Sequence, residues 1–149
     1  MTKVNFYQTS GAVQPALDLS CELAEKALRM DADVLIYCPD KALVEQLGER
    51  LWAWSATSFL PWRVDHDGPE RVRLCQTEDP GDDHSVLINL AAHTPDWFGR
   101  FESLCELIYG DAVFVDNKRQ RYKFYKDRGF PLSYHDLSNR HQNPTLADD

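Results

Sequence analysis

Asp33–Cys38, reading DVLIYC, is almost continuously apolar. A strand with one wet face alternates apolar and polar residues, so a run without alternation needs cover on both faces, as in a parallel sheet. Such cover comes from helices, and the flanking segments have the spacing to supply them. Pro15–Met30 carries Leu17, Cys21, Ala24 and Leu28 on one helical side, and Pro39-Asp40 opens a second helix through Ala42, Leu43, Leu47 and Leu51. Val4–Tyr7, Val72–Gln76, Ser85–Leu90 and Leu104–Tyr109 read as further strands. The segment 116–130 reads as a last long helix, with Asp116 near its start and Arg128-Gly129 closing it. Strands alternating with helices predict an α/β domain over residues 1–137, Rossmann-like in order, with three layers and a mostly parallel sheet. Residues 138–149 lack apolar periodicity and are expected to form a polar, flexible tail.

That order invites a nucleotide, but the phosphate loop is missing. After the first strand comes QTSGAVQPA with Gly11 as its sole glycine, so neither G-x-G-x-x-G nor a P-loop can be drawn. Asp40 stands where a ribose-binding acid could sit, but reads rather as a first-turn acid favoured by the helix dipole. Asp65-His66-Asp67 precedes Gly68-Pro69 and reads as a solvated turn rather than a metal site. Cys21, Cys38, Cys75 and Cys105 lie apart in apolar segments, as structural thiols do. Ser10 and Ser58 lack the glycines of a nucleophile elbow. No catalytic group, cofactor or metal is expected. No apolar run approaches the roughly 18 residues of a membrane span, and the expected compartment is the cytoplasm.

Two surfaces carry more information. The stretch DNKRQRYKFYKDRGF (116–130) holds six of the chain's sixteen Lys and Arg, on a protein of net charge -8. On a helix Val115, Lys118, Arg119, Tyr122, Tyr125 and Lys126 share a side. Either the tyrosines pack the sheet beneath a solvated charged face, or the cations and rings together hold an anion with an apolar part. An acidic peptide suits an acidic protein better than a duplex does. A single strand stacking on Tyr122, Phe124 and Tyr125 is the alternative. The second surface is LWAWSATSFLPW (51–62), read as a connection because Pro61 interrupts it. Its three tryptophans belong either to the core or to a contact surface.

These segments, with the opening V-N-F-Y, L-W-x-W-x-x-x-S-F-L-P around Trp52 and Phe59, V-L-I-N-L at 86–90, and R-x-R-Y-x-x-Y-x-x-x-G-F from Arg119 to Phe130, resemble the chi-subunit family of bacterial DNA polymerase III. The resemblance spans most of residues 1–137. It implies a Rossmann-like fold without nucleotide, and a non-catalytic accessory role in DNA replication. It implies binding to the acidic C-terminal tail of single-stranded DNA-binding protein, through Arg119 at the terminal carboxylate and a pocket lined by Tyr122 and Ile108. A second surface at Trp52, Phe59 and Pro61 would hold the psi subunit of the clamp loader or a repair helicase. The family's pocket lysine falls at Val115 here, leaving Lys118 or Lys123 to replace its charge.

Overall fold

The computed structural model describes residues 1–58, 62–64, 71–77 and 79–139. In chain order they form β1 (Lys3–Gln8), α1 (Val13–Arg29), β2 (Val34–Tyr37), α2 (Lys41–Ser58), β3 (Trp62–Val64), β4 (Val72–Cys75), β5 (Val86–Asn89), a 3-10 turn (Asp96–Arg100), β6 (Ser103–Ile108), α3 (Ala112–Asp127) and β7 (Leu132–Asp136). The strands make one seven-stranded sheet in the order β3-β4-β2-β5-β6-β1-β7. Every neighbouring pair is parallel.

Side chains leave each strand alternately to opposite faces. Tyr7, Ile36, Leu74, Ile88, Cys105 and Leu107 face α1 and α2. Val4, Phe6, Leu35, Leu87, Leu104 and Ile108 face α3 and the 3-10 turn. The apolar run Asp33–Cys38 is therefore a strand with cover above and below, and the three-layer α/β architecture holds.

The helix ends follow from single residues. Asp40 accepts a hydrogen bond from the Leu43 amide at 2.9 Å, so it caps α2. Asp111 caps α3 in the same way through the Phe114 amide, which starts this helix before Asp116. At the other end, Gly129 adopts φ 78, and the amides of Gly129 and Phe130 return to the carbonyls of Lys126 and Tyr125. That is a Schellman ending, which needs a residue tolerant of left-handed backbone.

Three expectations change. The aromatic segment is not a connection throughout, because α2 continues to Ser58 and carries Trp52 and Trp54. Trp54 is half-buried, its Nε1 donating to Glu25 at 3.3 Å, whereas Trp52 stands 74% exposed. Phe59, Pro61 and the Asp65-His66-Asp67 turn lie outside the described residues. β3 and β7 are additional strands, both at sheet edges, and β7 is polar (LSYHD). The acidic turn after β4 has a structural task. Arg73 is buried in the sheet, and its Nε meets Asp83 at 3.0 Å while Nη2 donates to the Pro80 carbonyl.

Candidate functional site beside the basic helix

β1 leads to α1 on one face of the sheet, and its neighbour β6 leads to α3 on the other. Where adjacent strands diverge like this, a crevice opens beyond their carboxyl ends, the usual ligand position in open α/β sheets. The two turns are tied together here, the Gly110 amide donating to the Gly11 carbonyl at 2.7 Å. Gly110 takes φ 83, which a side chain would resist.

Beside this point lies a cavity of about 210 Å³ between α3 and the β6-β1-β7 edge. Its walls are Phe6, Ile108, Val115, Tyr122 and Tyr134, with Gln8, Arg119 and Lys118 supplying the polar groups. Tyr122 stands edge-on to Phe6 at 5.2 Å and to Tyr134 at 6.1 Å, so two strands, β1 and β7, position one ring. The Tyr134 hydroxyl donates to Gln8. Burial pushes the Tyr134 hydroxyl up from its ordinary value, Asp136 adds to this, and the nearby Arg119 charge opposes it. The volume is below the roughly 300 Å³ at which small-molecule sites begin, and fits a single large side chain.

The two adjacent cations have opposite fates. Arg119 is exposed at the rim. Lys118 is fully buried, its Nζ donating to Glu106 at 2.7 Å. Glu106 is also fully buried, and accepts from Asn89 at 2.8 Å, Thr94 at 2.7 Å and Tyr125 at 2.6 Å. Burial alone would raise the Glu106 carboxyl, but the Lys118 charge and these donors outweigh it and hold it below the usual range. Burial lowers the Lys118 ammonium against the pull of Glu106. The charge of Lys118 is thus already matched inside the protein, and Arg119 is the cation left at this cavity among the described residues.

Of the residues singled out in the sequence, Ile108, Lys118, Arg119 and Tyr122 converge on this cavity. Lys123 is exposed on α3 but is not among the lining residues. Trp52 lies on α2, on the other side of the sheet. Phe6, Gln8 and Tyr134 were not singled out, and the last comes from the polar edge strand β7. The route through base stacking on three rings is closed. Tyr125 is buried, Tyr122 packs on Phe6, and Phe124 has guanidinium carbons of Arg121 and Arg128 at 4.1 and 3.7 Å from its centroid.

Among the described residues no cluster of His, Cys, Asp or Glu is placed to hold a metal, and no helix is long and apolar enough to cross a membrane. Fold and site define an α/β domain of Rossmann-like build whose carboxyl-edge crevice is an apolar slot with a guanidinium rim, in place of a phosphate loop. Residues 1–133 match the family described as DNA polymerase III chi subunit, HolC, and the chain belongs to that family. It is 34% identical to the DNA polymerase III subunit chi of Pseudomonas aeruginosa over 139 residues, which is 92% of this chain and 98% of that protein. It is 30% identical to the Escherichia coli subunit of the same name, over 77% of this chain and 81% of that one. The Haemophilus influenzae subunit is 26% identical over 78% of this chain and 83% of its own length.

Proposed function

We propose that this chain is a non-catalytic subunit of the replicative polymerase assembly, working in the cytoplasm, that docks the acidic C-terminal tail of single-stranded DNA-binding protein. The observation that carries this reading is Arg119 at the rim of an apolar slot with room for one side chain. A peptide ending in an apolar residue offers the slot a side chain and the guanidinium a carboxylate, in a charge-assisted pair. The exposed cations Lys123 and Lys126 on the same helix add a field for the acidic residues behind it. The net charge of -8 keeps DNA itself from competing there. A second contact, to psi or to a repair helicase, falls to the α2 end at Trp52 together with Phe59 and Pro61. The 74% exposure of Trp52 supports it, because tryptophan is enriched among the anchors of protein interfaces.

Calorimetry with the tail peptide tests the docking. A hydrogen bond to a charged group contributes roughly 1.5–3 kcal/mol. Arg119→Ala is expected to weaken binding by about ten-fold or more at unchanged thermal stability, because the side chain is exposed. Amidating the peptide's terminal carboxylate is expected to cost a similar amount. Equal affinity for mutant and parent would remove Arg119 from the site.

A further inference from the structure

α3 has a second groove on its opposite flank. This cavity is about 510 Å³, within the range of ligand sites, and its lining includes His93, Thr94, Asn117, Gln120, Arg121 and Phe124. It belongs to the other place where neighbouring strands diverge. β2 leads to α2 on one face and β5 to the 3-10 turn on the other, and His93, just beyond β5, meets the Tyr37 hydroxyl at the end of β2 at 3.1 Å. Crevices of this topology hold ligands in open α/β sheets.

The groove contains a cation already fixed in place. The Arg121 guanidinium carbon lies 4.1, 4.7 and 5.7 Å from the rings of Phe124, Tyr125 and Phe98, and its Nη2 donates to the Tyr125 hydroxyl at 3.1 Å. Its Nε is buried without a hydrogen-bond partner. An immobilised guanidinium gives up little entropy in binding an acceptor. Arg128 packs on the same Phe124 ring at 3.7 Å. Arg128 is exposed, so a second guanidinium lies beside the groove at the same ring.

The geometry points to a single-stranded nucleic-acid site in this groove, distinct from the tail slot and taking one nucleotide. Arg121 receives its phosphate, and the exposed Arg128 beside the groove adds a positive field for the next one. The Asn117 amide, and the Gln120 amide whose Nε2 also donates to Asp116 at 3.3 Å, meet its base, since an amide offers a donor beside an acceptor, as base edges do. Guanidinium planes also stack on bases. An acidic peptide fits less well, because it brings a charge on nearly every residue to a groove whose lining has one cation and several neutral hydrogen-bonding groups. The acidic body confines the contact to one or two phosphates, so binding is weak and falls with salt at a logarithmic slope of about 0.7 per phosphate.

The test is fluorescence anisotropy of a labelled fifteen-nucleotide oligothymidylate with the full chain at low salt, the tail peptide and a pentaaspartate peptide being measured in parallel. The near-isosteric pair Asn117→Asp and Gln120→Glu puts two negative charges at the groove. It is expected to weaken the oligonucleotide by about ten-fold or more and to leave tail-peptide affinity within about two-fold. Arg119→Ala is expected to do the reverse. The site is overturned if the parent does not bind the oligonucleotide, if the double variant binds it equally, if Arg119→Ala abolishes it, or if pentaaspartate displaces it from the groove. Should the double variant not fold, amide shifts of the parent decide. Changes at His93, Thr94, Asn117, Gln120, Arg121 and Phe124 support the site, and changes confined to Gln8, Arg119 and Tyr134 overturn it.

Discussion

The two faces of the sheet solve the same covering problem with different chemistry. Under α1 and α2 the buried side chains are almost all aliphatic or thiol, including Leu17, Leu47, Leu51, Ile36 and Leu74. Under α3 the core contains an ion pair, Glu106 with Lys118, and Glu106 takes three further donors from Asn89, Thr94 and Tyr125. Apolar contact is non-directional and tolerates small shifts of a helix. A hydrogen-bonded charge network has one good geometry, and it loses heavily when any member is displaced. The proposed docking would need that definition, because one wall of the cavity (Val115, Arg119, Tyr122) comes from α3 and the other (Phe6, Gln8, Ile108) from the sheet. The difference teaches that the first face supplies stability, while the second trades some of it for a fixed helix position.

The sharpest way to break this comparison is to remove one partner of the pair. Lys118→Met keeps the length of the side chain but leaves Glu106 charged, buried and short of its cation. Breaking a buried pair from one side costs roughly 3–5 kcal/mol, to be read from the urea midpoint. Tail-peptide affinity is expected to fall as well, since α3 is released from its register. Adding Glu106→Gln should recover much of the stability, because a neutral amide keeps an acceptor without the stranded charge. A single variant as stable as the parent would show that the network does not hold the helix.

The apolar face offers the control. Leu47 is fully buried against α1 and the sheet. Leu47→Ala is expected to cost roughly 2–5 kcal/mol, depending on how far the cavity collapses. The loss overlaps that of Lys118→Met, yet tail-peptide affinity should stay within about two-fold of the parent wherever the protein is folded. If Leu47→Ala weakens the peptide as much as Lys118→Met does, the two faces are not mechanically separate.

Most of the sheet was legible because its central strands are covered twice and therefore read as unbroken apolar runs. β7 was not, because an edge strand with polar residues at Ser133, His135 and Asp136 carries no such signal. α2 was read short because Pro61 drew attention to a loop, although a proline restricts only the residues next to it. Arg119 and Tyr122 were visible from helical spacing within a cation-rich segment. The fate of Lys118 was not, because its partner lies twelve positions earlier on another element. One clue was present: Glu106 sits in the apolar run SLCELI, and a carboxylate there requires a partner.

The ion pair should also give the protein an acid limit that the apolar face does not have. Burial raises the Glu106 carboxyl, but Lys118 and the hydrogen bonds lower it further, so its folded-state value lies below the ordinary value of 4.5. Below that value the unfolded chain binds a proton that the folded chain still refuses. Stability from Glu106 is therefore complete above about pH 4.5 and is lost as pH falls through the folded-state value. The contribution of Glu106 is isolated by comparing the parent with the neutral double variant Lys118→Met, Glu106→Gln. Urea midpoints measured from pH 7 to pH 3 should fall more steeply for the parent below about pH 4.5, and the two curves should run parallel above it. Parallel curves over the whole range would mean that the Glu106 carboxyl binds protons equally in the folded and unfolded chains, and that the ion pair adds nothing to the acid limit.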